Sequence, residues 1–359
     1  MKDQRKMGIV SYGTYIPRFR MLVEEPLRVW DNTFLKVLKE QLLISERVVL
    51  SPDEDTVTMA VDAARQALER WGRGLQDVGG LYLGTCTSPY SSRPCSTIVA
   101  EALGENPSVD CLDVQFSTRS GTAALRIAQA MVLSEAAEYA IAIGSDTMNR
   151  HTAPGSLQEY TASAAAGALI LGGNPDEIIA EVSPFVSVVS DLSDMFRLEG
   201  ERYISSGGAS TVDSGLGLYN HVSQAVTQYL KKYGHQPQDF HSVIFQQPSG
   251  VLPVVLAKHL GFSGEQVMPG VTSYKLGDLG SASTLVSLSS ILDKASPNQK
   301  ILVASYGFGA GADVTTITVT ENIRRFRRQA PTVEQQVQNK VQLDYATAMK
   351  YEGKYIKQS

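Results

Sequence analysis

Residues 113 to 130 read DVQFSTRSGTAALRIAQA, and the periodicity changes in the middle of the stretch. Val114 and Phe116 alternate with polar neighbours as strand residues do, whereas Ala124, Leu125, Ala128, Met131 and Val132 recur at helical spacing. The turn between them carries the hydroxyls of Ser117, Thr118 and Ser120, all suited to capping a helix start, and Gly121, which permits close approach. A helix beginning at Thr118 would direct its free N–H groups and positive dipole end at that residue. Many enzymes set a cysteine at such a point because the field lowers the thiol pKa. Here the residue is a threonine.

Moving outward, the chain repeats this stretch. At a constant offset of 160 residues, Leu125 falls on Leu285, Met131 on Ile291, Val132 on Leu292, Ile141 on Ile301 and Ile143 on Val303. IVAEALG at 98–104 is echoed by VLAKHLG at 255–261, and Trp71-Gly72 by Tyr233-Gly234. So long a period exceeds the roughly 20 to 50 residues of a solenoid and indicates a duplicated half. Strands are expected at 7–16, 80–84 and 314–319. Helices are expected at 33–44, from Asp55 or Thr56 to Trp71, and at 98–103. This alternation predicts an α/β fold of two pseudo-twofold-related halves, each with a mostly parallel five-stranded sheet, over residues 1–175 and 176–320. Residues 321–359 form a C-terminal extension. The same offset carries Thr118 to Asp278, in KLGDLGSAS, so two helix starts should meet across the axis, outside the strand ends where open α/β sheets bind ligands.

Composition narrows the function classes. Charged residues make up 19% of the 359, below the roughly 25% usual in soluble chains, which favours association. The net charge is −5, yet from Glu321 onward eight basic residues face four acidic ones. Cys86, Cys95 and Cys111 show no CxxC spacing and no paired histidines, so no metal site and a reducing cytoplasm are expected. The start lacks a signal-peptide core, and no apolar run nears the ~18 residues of a membrane span. The four arginines at 324–328 are read as solvated or partner-facing, with no nucleic-acid motif beside them.

The stretches DVQFSTRSGTAAL, AIAIGSDTMNRHTAPGSLQEYTASAAAGALILG, VIFQQPSG and ASYGFGAGAD resemble the thiolase superfamily, in its archaeal-type hydroxymethylglutaryl-CoA synthase-like branch. The resemblance implies layers of α-β-α-β-α and acyl-CoA chemistry. It also exposes departures: Thr118 stands where the family has its nucleophilic cysteine, Cys86 where it has a general-base glutamate, and Gln246 where it has a histidine. Asp278 stands where related ketoacyl synthases have an asparagine. Claisen condensation needs a thiolate, a base and an oxyanion hole, so no catalytic residue is expected among these degenerate positions. Pocket candidates are His151, in a loop that lines the acyl-CoA side in the family, and the glycines Gly307, Gly309 and Gly311, read as a tight turn. Cys95 and Cys111 are read as structural, and His221, His235, His241 and His259 as solvated.

Within that branch, SYGTYIP, LGTCTSPY, GDLGSAS and DYATAMKYEGKY resemble the A-subunit group of bacterial 2,4-diacetylphloroglucinol acetyltransferases. That resemblance implies a multi-subunit enzyme containing a homodimer of this chain, an active thiolase-fold subunit with a catalytic cysteine, and a small OB-fold bridging subunit. The homodimer is expected through an edge of the first half, at the small-residue run Ala162 to Ala168. No cofactor is expected, although acyl-CoA could still bind. Three readings stay open: a non-catalytic subunit, an active acyltransferase or condensing enzyme using Thr118, Ser117 or Cys86, and an acyl-CoA-binding protein without turnover. The tail's tyrosines, set among basic residues, are expected to fold onto the body and receive the bridging subunit.

Overall fold

A computed structural model describes residues 6–30, 42–207, 216–326 and 330–355. The helix expected at 33–44 lies outside the described residues except for its last three positions. The strands are β1 (Gly8–Tyr15), β2 (Phe19–Leu22), β3 (Glu46–Val49), β4 (Gly80–Gly84), β5 (Asp110–Val114), β6 (Tyr139–Thr147), β7 (Ala164–Gly172), β8 (Ala180–Val182), β9 (Val186–Leu192), β10 (Met195–Phe196), β11 (Ser205–Ser206), β12 (Ser242–Phe245), β13 (Lys300–Gly307), β14 (Gly309–Val319) and β15 (Val341–Gln342).

Ten strands join in one sheet in the order β12-β13-β14-β8-β1-β7-β6-β4-β5, with β9 paired to β14. Each half contributes five, and β8 joins them by pairing with both β1 and β14. The duplication is visible in the ladders. In the first half β4–β6 is parallel while β6–β7 and β7–β1 are antiparallel; in the second β12–β13 is parallel while β13–β14 and β14–β9 are antiparallel. Parallel ladders arise where a helix carries the chain back across the sheet. Between β6 and β7 there are only short 3-10 turns, and between β13 and β14 a single residue, so those pairs are antiparallel.

Five layers result. Helix Thr56–Trp71 covers the first half's outer face, with Val57, Met59, Ala63 and Ala64 packed in one cluster with Ile141 and Ile170. Asp55 caps it through the N–H groups of Val57 and Thr58, and Gly72 closes it at φ 79°, as the sequence suggests. Helices Gly217–Tyr233 and Val251–His259 cover the other outer face. Between the two halves of the sheet run helices Ser120–Leu133 and Ser283–Leu292, and the repeat partners Leu125 and Leu285 share one core cluster. At their crossing, a Cβ on Gly121 would come within 2.2 Å of the Ser281 carbonyl oxygen, so only glycine fits.

One expectation fails here. Residues 164–168 lie fully buried within β7, between β1 and β6, so this run is interior packing and not an edge available to a second copy. The free ends of the sheet are β5 and β12. The described part of the extension does lie on the body: β15 pairs with β2, and Ala348 and Met349 pack with Met21 and Val49.

Candidate functional site

The helix after β5 starts at Ser120, two residues later than the sequence suggests, and its hydroxyls do not cap it: Arg119 holds the cap position with no side-chain bond. The turn is shaped instead by Ser117 at φ 44°, with Ser120 Oγ accepting from Phe116 N–H at 2.7 Å and donating to Ser117 O. Thr118 Oγ donates to the Tyr306 carbonyl at 2.7 Å, and Ser117 Oγ to the Phe308 carbonyl at 2.7 Å. Both hydroxyls are thereby spent on the β13–β14 hairpin. Gly307 packs against Phe116 O and Ser117, and Gly309, at φ +102°, turns the hairpin. Gly307 and Gly309 therefore make a tight turn braced on the Thr118 loop and present no phosphate cradle. Arg119 lies over the Phe116 ring and pairs with Asp313 at 3.3 Å.

The centre of the site is Asp146, which motif reasoning missed. Its Oδ1 accepts from Thr85 Oγ1 at 2.8 Å, Cys86 N at 2.9 Å, Thr87 N at 3.1 Å and Thr87 Oγ1 at 2.7 Å, and its Oδ2 from Ser281 N at 2.7 Å. Cys86 Sγ donates to the same Oδ2 at 3.3 Å. Burial, and then the Asp146 carboxylate, push the Cys86 thiol well above its ordinary value, so it is no thiolate. Sequence held one signal for Asp146, its place near the end of an otherwise uncharged strand, where a buried carboxylate must find several donors.

The second helix start adjoins this hub. Gly280, at φ +58°, leaves room for Asp146, and its N–H donates to Asp278 Oδ1 at 3.0 Å. Burial drives the Asp278 carboxyl up to about 7, with a smaller push from Asp146 against the opposing Gly280 hydrogen bond. Gln246 Nε2 donates to the Gly280 carbonyl at 2.8 Å, while its buried Oε1 has no partner. Cys86, Gln246 and Asp278 thus gather around Asp146 and Gly280. Thr118 stands apart in its bonding: among the described residues no hydrogen bond joins it to any of them.

Asp278 closes one end of a cavity of about 170 Å³ lined by Met148, Leu157, Met195, Ile204 and Leu252. His151 is not in its wall; Nδ1 meets the Arg202 carbonyl at 3.0 Å, and burial lowers its pKa. His221 is buried, contrary to expectation, while His241 and His259 are exposed and His235 half-exposed. Cys95 is buried and Cys111 half-buried, each raised by burial. Among the described residues no group of three His, Cys, Asp or Glu could hold a metal, and no helix is long and apolar enough to cross a membrane. The arrangement offers a titratable carboxyl in an apolar cavity and a hydroxyl without a base.

No family model matches the chain. Among curated relatives, the hydroxymethylglutaryl-CoA synthase of Methanosarcina barkeri is 38% identical over 348 residues, covering 97% of this chain and 98% of that one. The Picrophilus torridus synthase is 40% identical over 345 residues, covering 96% of each. Among solved structures, MvaS in complex with 3-hydroxy-3-methylglutaryl coenzyme A superposes with a TM-score of 0.85 at 20% identity, over 96% of this chain and 91% of that one. The 3-oxoacyl-[acyl-carrier-protein] synthase III of Aquifex aeolicus does so at 0.78 and 19%, over 87% and 99%. These structures share the thiolase fold; on the sequence identities, carried over nearly its whole length, the chain belongs to the hydroxymethylglutaryl-CoA synthase family of that superfamily.

Proposed function

We propose that this chain is a thiolase-fold subunit of an acyltransferase assembly that forms no acyl-enzyme at Thr118 or Cys86 and works beside a partner carrying the catalytic cysteine. The observation that carries the reading is the Thr118 hydroxyl, whose hydrogen bond goes to the Tyr306 carbonyl and not to a basic side chain. A carbonyl oxygen cannot take the proton that a threonine nucleophile must lose. Gln246 cannot act as a base, and the Cys86 thiol is held protonated beside Asp146. The stretches LGTCTSPY, GDLGSAS and DYATAMKYEGKY favour acetyl transfer between phloroglucinols as the assembly's reaction, with a homodimer of this chain, the active subunit and a small OB-fold bridge as components.

A second reading, an active acyl-CoA condensing enzyme, draws on the relatives, which are named as synthases, and on Asp278, whose value of about 7 suits an acid–base group at neutral pH. Intact-mass measurement after exposure to acetyl-CoA, alone and with co-purified partners, separates the two. An acetyl group on a partner cysteine and none on Thr118 or Cys86 of this chain is the expected result. Acetylation of Thr118 or Cys86 with turnover by the isolated chain would establish the second reading instead.

A further inference from the structure

His221 belongs to no part of the site above, and its bonding is that of a catalytic base. It sits one turn into helix Gly217–Tyr233, only 6% exposed, with Nδ1 2.7 Å from the Gly217 carbonyl. A carbonyl only accepts, so Nδ1 carries the hydrogen and Nε2 is left with its lone pair. Nε2 lies 2.7 Å from Ser190 Oγ, which must therefore be the donor. Ser190 is exposed on β9, where the register against β14 shifts between the pairs Gly309–Leu192 and Gly311–Val189. Such a bulge re-aims the side chains it carries. The ring of His221 is further positioned 6.0 Å from that of Tyr306, whose hydroxyl is anchored on Asp194 at 2.5 Å.

We propose that Ser190 and His221 form a nucleophile–base pair that accepts acyl groups from activated esters or thioesters, at a site distinct from the cavity at Asp278. The backbone carbonyl of Gly217 performs the orienting role that a carboxylate has in a serine triad. Ser190 Oγ attacks the acyl carbon while its proton passes to His221 Nε2. The bond from that carbon to the leaving oxygen or sulfur then breaks, and the leaving group takes the proton from the imidazolium. Water, deprotonated by the same nitrogen, releases the acid and restores the serine. Among the described residues the helix has no side-chain cap at Leu216, and the N–H groups of its first turn are assigned to the developing oxyanion. Exposed Val189 and Leu216, each next in sequence to a group that holds the pair, suit a short apolar acyl or aryl ester.

The test uses the full chain and p-nitrophenyl acetate, read by nitrophenolate release, intact mass and peptide mapping. One acetyl group on Ser190 is expected. Ser190→Ala, at an exposed position that keeps the fold, should abolish it, and His221→Gln should slow it by roughly 100-fold or more. A thermal melt of the His221→Gln protein verifies that it is folded. The pair is refuted if Ser190 stays unmodified in the wild-type chain, if acetylation maps to other residues, or if folded His221→Gln reacts at the wild-type rate.

Discussion

Two buried polar clusters in this molecule hold carboxylates in opposite ways. Around Asp146 and Asp278 the partners are N–H, O–H and S–H donors, and among the described residues no cation forms an ion pair with either. Beneath the C-terminal extension, Glu352 accepts from both terminal nitrogens of Arg47, from Asn149 Nδ2 at 3.0 Å and from Lys354 Nζ at 3.0 Å. Glu159 beside it accepts from Tyr345 at 3.0 Å and Trp30 at 3.1 Å. Burial alone would raise Glu352, yet Arg47 and Lys354 bring it below its ordinary value, while burial without a cation takes Asp278 up to about 7. Burial beside two cations thus yields a fixed charge in Glu352, whereas burial without one yields a titratable group in Asp278, the less enclosed of the two. The difference divides the fold into a lock and a site.

Glu352→Ala tests the lock and carries the largest expected effect. It leaves Arg47 an unpaired buried cation and Lys354 with only Glu159, at 3.9 Å, the two side chains being each 1% exposed, at about 3–5 kcal/mol of unfolding free energy. Denaturant unfolding measures this. A loss under about 1 kcal/mol would mean that the tail contributes little and that the two clusters do not differ as described. The pH sign follows from Glu352's depressed value: its contribution is present above the ordinary glutamate range and is lost as pH falls through the folded value.

Asp278→Asn tests the other member of the comparison. The folded carboxyl titrates near 7 and the unfolded one near 3.8, so the native state holds the extra proton between those values. The stability associated with that proton is present below about 3.8 and is lost as pH rises through about 7. The asparagine variant should therefore become more stable than wild type as pH rises across this window, by up to roughly 4 kcal/mol. Parallel stability–pH curves for the two proteins would show that Asp278 is an ordinary solvated carboxylate.

The duplicated core was legible because apolar residues at helical spacing must be buried. Leu125 and Leu285 therefore report the same layer from two places in the chain. The offset pointed to Asp278, whereas Cys86 and Gln246 came from the family resemblance. The turn at Thr118 was misread because hydroxyls near a helix start can serve either the helix or a neighbouring strand. Here the β13–β14 hairpin, 188 residues away, takes them. Asp146, the Arg47–Glu352 pair and the Ser190–His221 pair were not legible for the same reason: each is made by residues that share no local pattern. The reading of Ala162 to Ala168 as an edge failed because small residues fit close packing inside a sheet as well as between chains.

A smaller effect is expected for Thr118→Val. It removes one hydrogen bond to a carbonyl whose strand is otherwise intact, at about 1 kcal/mol in denaturant unfolding. A cost above about 3 kcal/mol would mark the hairpin contact as a main support of the helix start.

The smallest effect is expected where family resemblance suggests the largest. Thr118→Cys restores the nucleophile's element and nothing else. The thiol would face the Tyr306 carbonyl, which cannot take its proton, and would stand two residues before a helix whose first turn begins at Ser120. The positions that supply a base and an oxyanion donor in the family would still hold Cys86, Gln246 and Asp278. The Cys86 thiol is raised by burial and Asp146, and the Gln246 amide is committed to Gly280. Asp278 could serve as a base only above about pH 7, where its negative charge would oppose the oxyanion. Acetyl-CoA turnover should therefore rise less than about tenfold over the unmodified chain at neutral pH, against the far larger gain expected if the missing thiol were the whole defect. Rapid stoichiometric acetylation of the new thiol, seen by intact mass within seconds of mixing, would mean that the second helix start already provides what the reaction needs and that Thr118 alone silences the site.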